Sequence, residues 1–241
     1  MATSSHTPAG PRRVRNAVAP AGLTASAPGS RNVADSNGIR GLSRPAVRTK
    51  ELLLRAASDQ IRSLGHVPSI GEVAKAAGVS RATAYRYFPS RSNLIAAVVD
   101  SSLGPVRRFE SKLDSVEDRL AELFGTTFVR FTEFEPQMRS ALQLSLEHAA
   151  LQAAGRLDEA PYRRGYRIDI LRRTFAPLSR TMPARSLDRL CKAMSLLFGI
   201  EPYVILKDIW NCDNAEVGRI ALSMAAALLR EAEREAAAAR R

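Results

Sequence analysis

Between Ser80 and Ser92 the chain reads SRATAYRYFPSRS, a run rich in donors suited to a nucleic-acid surface. Arg81, at the start of a short helix, can fork onto O6 and N7 of a guanine. Ala82 and Thr83 are small enough to approach a base closely. The Thr83 hydroxyl suits a phosphate or base edge, and its methyl group suits a thymine methyl. Tyr85 and Tyr87 offer flanking hydroxyl donors for phosphate oxygens. Arg91, just past the helix, can clamp the backbone by charge. Ala84 and Phe88 are expected to face inward. Covalent chemistry has little to work with. The chain has no G-x-S-x-G, H-E-x-x-H, G-x-G-x-x-G, P-loop or C-x-x-C motif. It has three histidines, one in the N-terminal tail and one in a turn at His66, which leaves little for general acid–base work. An enzyme is therefore not expected, nor is a cofactor or a metal site.

Positioning those side chains needs two short helices. Ser69-Ile70-Gly71-Glu72 fits a capping box, with the Ser hydroxyl and the Glu carboxylate serving each other's backbone N–H. Ile70, Val73, Ala74 and Ala77 form the inward face of the first helix. Gly78 can take the positive φ of a tight turn. Val79 plugs the core, Ser80 caps the second helix, and Pro89 ends it. This is the pattern of a helix-turn-helix, whose second helix enters the major groove. A preceding helix over 46–64 carries Leu53, Ala57 and Ile61 on one face, with Gly65 suited to its stop. After the turn Pro89–Ser92, Ser90 or Ser92 caps a further helix. That helix sends Leu94, Ile95, Val98 and Val99 inward, and Gly104-Pro105 marks its end or a bend.

The remaining chain predicts an all-α fold. Segments near 116–133, 137–152, 164–178, 185–209 and 214–239 repeat apolar residues at the helical period, and no sustained strand alternation occurs. The 185–209 segment contains Gly199 and Pro202, which predicts one helix kinked near Leu197–Val204, the milder assumption, or else two helices. Asp213 to Glu216 reads as a second capping box.

Charge is concentrated at the N-terminal end. The whole chain of 241 residues carries a formal +12. Residues 1–45 and 46–95 each hold +5, leaving +2 for the rest. Such an excess attracts polyanions, nucleic acid or an anionic surface. Charge alone would also suit a non-specific nucleic-acid binder, but here it lies on the helix-turn-helix rather than on amphipathic basic helices. Residues 1–45 are rich in Ala, Pro, Gly, Ser and Arg, and predict a disordered basic tail. Such a tail is an unstructured extension or an arm adding phosphate contacts. Two cysteines, Cys191 and Cys212, cannot staple a chain this long and suit a reducing compartment. No apolar run reaches the ~18 residues that span a bilayer. A cytoplasmic protein with no membrane partner is the expectation.

The stretch GEVAKAAGVSRATAYRYFPSRSNLI resembles the signature of the TetR family of transcriptional regulators, over roughly residues 48–100. The resemblance implies a three-helix N-terminal helix-turn-helix domain followed by a helical ligand-binding and dimerisation domain. The corresponding division here is a tail at 1–45, a DNA-binding domain at 46–92 and a ligand-binding and dimerisation domain at 93–241. The family's contact positions fall on Arg81, Ala82, Thr83, Tyr85, Tyr87 and Arg91. At Arg91 the family usually has Lys, so the charge survives but the geometry differs. A long basic tail is a second departure. The implied partners are a double-stranded DNA operator, a second copy of the chain and an unknown small-molecule effector. The implied mode is a repressor released by its ligand. Dimerisation would use residues 185–239, with Leu187, Leu190, Met194, Leu197, Ile205 and Ile209 on one face. Ile220, Leu222, Met224, Leu228 and Leu229 would form another. The same stripes would also serve packing within one subunit. An effector pocket would lie between the middle helices, with His148, Glu201 and Tyr203 as polar lining. Phe128, Phe131, Phe175, Phe198 and Trp210 would be its apolar walls.

Overall fold

A computed structural model describes residues 43–239; of the tail expected at 1–45, residues 1–42 lie outside the described residues, while Arg44 and Pro45 belong to the first helix. The described chain is all-helical. Helix α1 spans Arg44–Leu64, two residues earlier than its periodicity predicts, because Pro45 occupies the first turn where its missing N–H costs nothing. Gly65 ends α1 at φ 74°, donating its N–H to the Ile61 carbonyl at 2.9 Å. Helix α2 (Ile70–Ala76) and helix α3 (Arg81–Tyr87) follow. Helix α4 (Arg91–Arg107) is capped by Ser90, whose hydroxyl oxygen accepts from the Asn93 N–H.

Gly104-Pro105 does not end α4. The helix runs on to Arg107 with Pro105 inside it. Proline cannot donate to the carbonyl four residues back, at Ser101. One residue on, the Ser102 carbonyl accepts from Nε and Nη2 of Arg130 at 2.8 and 2.6 Å. Those bonds brace the far end of α4 against helix α5 (Val116–Glu133).

Helix α6 spans Glu135–Ala153 and is closed by Gly155 at φ 66°. The expected 164–178 segment is a shorter helix α7 (Tyr166–Thr174) and a 3₁₀ turn at Ala176–Arg180. The 185–209 segment resolves into two helices, α8 (Ala184–Met194) and α9 (Glu201–Asp208). Pro202 sits in the first turn of α9, where it starts a helix rather than kinking one. Asn211 then takes φ 55°, a left-handed conformation that asparagine tolerates, before α10 (Asn214–Ala238). Asp213 caps α10 by accepting from the Glu216 N–H at 2.7 Å. The returning bond of a full capping box, present at Ser69, is not formed there.

One apolar core runs through both halves. Leu53, Ile61, Val73, Ala84 and Phe88 hold the first three helices together, and Leu94, Ile95 and Val98 carry the core up α4. In the second half Phe124 stacks on Phe128 at 5.5 Å, and Phe131 and Phe198 complete the cluster with Tyr203. The Tyr203 hydroxyl donates to the Phe128 carbonyl at 3.2 Å. Val217, Ala221, Ala225 and Leu229, one per turn, seat α10 against the bundle. Ion pairs lock α9 to α6: Arg139 forks onto Asp208 with both bonds at 2.7 Å, and Lys207 reaches Glu135 at 2.6 Å.

Candidate nucleic-acid interface

The turn between α2 and α3 is built as its residues dictate. The Glu72 N–H donates to the Ser69 hydroxyl at 3.2 Å, and the Ser69 N–H donates to Glu72 Oε2 at 2.7 Å. Those hydrogen bonds from Ser69 hold the Glu72 carboxyl below its ordinary range. Gly78 turns at φ 67°, and the Val79 N–H returns to the Ala74 carbonyl at 3.0 Å. Ser80 caps α3 through the Thr83 N–H at 3.1 Å, and its hydroxyl also donates to Thr83 Oγ1 at 2.9 Å.

This scaffold divides the residues of α3 by side. Ala84 and the following Phe88 are buried, as expected. Arg81, Ala82 and Tyr85 are exposed, while Thr83 and Tyr87 are half-buried along the edge. Arg81 lies across Gly71 of α2. A Cβ built at Gly71 would stand 3.3 Å from Arg81 Nε, so the missing side chain makes room for the guanidinium. Arg86, not among the expected contacts, sits over the Tyr87 ring at 5.5 Å.

Arg91 is placed differently from the others. Its guanidinium spans the Glu147 carboxylate of α6, with Nη1 to Oε1 at 3.0 Å. Beside it Ser92 donates its hydroxyl to the Ala160 carbonyl at 2.8 Å and its N–H to Glu159 at 3.4 Å. Glu159 also faces buried His148, whose Nε2 is 3.3 Å from Oε1. The Tyr162 N–H donates to His148 Nδ1 at 3.1 Å, which leaves the ring proton on Nε2, facing Glu159. The foot of α4 is thus tied to α6 and to the 155–165 loop. Gln137 of α6 adds a bond to Ser58 Oγ of α1 at 2.9 Å.

Tyr162 leads into a cavity of about 80 Å³ framed by α4, α5, α6, α7 and the turn before α9. Phe198, Phe131 and Met138 line it, with Thr127, Arg107, Arg164 and Arg167. Glu201 stands one layer behind, accepting from Arg164 at 2.7 Å and from Arg167 at 2.9 Å. Burial raises the Glu201 carboxyl, but the charge and hydrogen bonds of Arg167, with Arg164, outweigh it and hold the group low. Gly199 permits this pair, since a Cβ there would collide with Glu201 and lie 2.7 Å from Arg167 Nη2. Phe128 and Phe175 lie in the core outside the lining, and His148 reaches the cavity only through Tyr162. Trp210 is no wall: it is 71% exposed. Periodicity missed the arginines because a cationic side chain on a helix reads as a solvated face.

Burial raises both thiols, Cys191 and Cys212, so neither is a reactive thiolate. Among the described residues no group of acidic, His or Cys side chains is placed to hold a metal ion, and no helix is long and apolar enough to cross a membrane.

Residues 66–98 match the family model of bacterial regulatory proteins, tetR family. The fold is similar to that of a tetR-family transcriptional regulator from Streptomyces coelicolor. That match has 21% identity and a TM-score of 0.54, and covers 80% of this chain and 86% of the other. A TetR transcriptional regulator from Rhodococcus sp. RHA1 is similar at 22% identity and a TM-score of 0.50, over 76% of this chain and 97% of that one. No curated protein matches the chain.

Proposed function

We propose that this chain, which carries the recognition segment of the tetR family of bacterial regulatory proteins, is a sequence-specific DNA-binding transcriptional regulator released from its operator by a small-molecule ligand. The observation that carries it is the outer face of α3. Arg81, Ala82 and Tyr85 stand clear of the core on a rigid, doubly capped turn, and Arg81 has no acidic partner among the described residues. Arg81 reads a guanine, Thr83 and Ala82 approach the neighbouring bases, and Tyr85, Tyr87 and Arg91 hold phosphates.

In this reading residues 46–92 are the reader and 93–241 the sensor, with α4 crossing between them. The working form is a homodimer joined through residues 185–239. Ile205, Ile209 and Trp210 on and after α9, with Met224 and Leu228 on α10, are large apolar side chains left exposed. Leu190, Met194, Leu197 and Leu229, also expected at an interface, are buried within the monomer and belong to its core. A two-fold dimer presents its two α3 helices to successive major grooves, about 34–36 Å apart. A ligand that binds better to a dimer with a different spacing shifts the population off DNA.

Selecting genomic fragments on the purified full chain, followed by gel shift of the enriched fragments, tests this. The reading predicts a recurrent palindromic sequence among them. Enrichment without any shared sequence would favour a non-specific nucleic-acid binder instead.

A further inference from the structure

The cavity between α4, α5, α6 and α7 is chemically one-sided. Val99, Leu103, Val106, Phe131, Ile170 and Phe198 make its apolar body. Arg107, Arg164 and Arg167 supply cations, and no Asp or Glu lines it. The carboxylates behind are Asp100, paired with Arg107, and Glu201, shared by Arg164 and Arg167. Three guanidiniums thus meet two carboxylates, leaving one positive charge uncompensated.

Two donors here also lack acceptors. The Thr127 hydroxyl lies in a side chain that is 0% exposed, and neither it nor the buried Nε–H of Arg164 has a partner. Buried donors without acceptors are rare and costly in folded proteins. Tyr162, whose phenol burial pushes up to about 12, stays protonated on the same wall.

We propose that this cavity binds a monocarboxylate on a compact apolar body, its carboxylate met by Thr127 and the arginines. The assignment rests on the ligand-released reading above and names the ligand's class. A cationic ligand would face guanidiniums with no acid in the lining. A neutral hydrocarbon would leave both donors unpaired. A dianion would exceed the single uncompensated charge.

Size links binding to release. The cavity holds about 80 Å³, while a cavity of about 150 Å³ accommodates one benzene ring. A ring-sized acid must therefore spread the walls, and Val99, Leu103 and Val106 of those walls belong to α4. The same helix is tied at its foot to Glu147, Glu159 and Ala160. Displacing α4 moves the reader that precedes it.

The test uses the purified full chain with hexanoate, octanoate, benzoate and phenylacetate, each beside its own primary amide. Melting temperature is read first and calorimetric affinity second. At least one acid raises the melting temperature where its amide does not, and binds about tenfold tighter or more. Thr127→Val should melt at or above the wild type, since it removes an unpartnered buried hydroxyl. The same variant weakens the acid by about tenfold. Arg164→Gln weakens it as well. Equal binding of every acid and its amide overturns the assignment, as does acid binding undiminished in both variants. Gel shifts on the same preparations separate the two proposals. Sequence-specific DNA binding without acid preference removes this assignment alone. Acid preference without sequence-specific DNA binding removes the regulator reading alone.

Discussion

Arg81 shows how a single side chain acquires a role from its surroundings. Its guanidinium is neither buried nor neutralised, and the bare Cα of Gly71 lets it lie across α2 towards solvent. Arg81→Ala should cost roughly 1–3 kcal/mol of operator binding and relax preference at one base position. Tyr87→Phe should weaken all sequences alike, since a phosphate contact carries no base information. Binding measured on an operator and its single-base variants distinguishes the two. Glu201 makes a different claim, about stability. Its folded pKa is depressed, because Arg167 and Arg164 outweigh burial, so its contribution is complete above the ordinary carboxylate value of about 4.3. The contribution is lost as pH falls through the lowered folded value. Melting curves of wild type and Glu201→Gln should therefore differ at neutral pH and converge in acid; a gap independent of pH would contradict this. At this scale the reader was legible and the cavity was not. Ser69, Gly78 and Ser80 announce themselves through backbone demands that few residues meet. Thr127, Arg107, Arg164 and Arg167 lie far apart in sequence, and only tertiary packing assembles them.

Among the elements, α4 links the two halves. Its foot is held by Arg91 to Glu147 and by Ser92 to the 155–165 loop, and its far end by Arg130 on the Ser102 carbonyl and Arg173 on the Arg107 carbonyl at 2.7 Å. The Arg91–Glu147 pair is partly exposed, so on its own it is worth at most about 1 kcal/mol. That is weak enough for a phosphate to compete. Glu147→Gln should free Arg91 and tighten binding to operator and random DNA alike, measured by titration at low salt. Unchanged affinity would mean that Arg91 remains a brace and does not reach DNA. The helices themselves were largely visible in the sequence, since caps and apolar periodicity are local. Proline positions were less legible: Pro105 lies inside α4 and Pro202 in the first turn of α9, and a proline by itself does not say which.

For the whole molecule, the large apolar side chains exposed on and just after α9 and on α10 are a surface the monomer leaves uncovered. Ile209 and Trp210 are 73% and 71% exposed. Ile209→Asp should leave the fold intact, because the side chain contributes little to the core. It should convert the dimer to monomer in light scattering and abolish tight operator binding; a wild-type dimer in the variant would place the interface elsewhere. Both stripes of apolar residues were legible in the sequence, but which half of each is consumed internally depends on how α8, α9 and α10 pack. Sequence-specific recognition by a dimer is read out by competition between the selected operator and random duplex at several salt concentrations. A sequence-specific dimer prefers the operator by about 10³-fold or more at physiological salt. Equal affinity for both duplexes, falling together with salt, would contradict it.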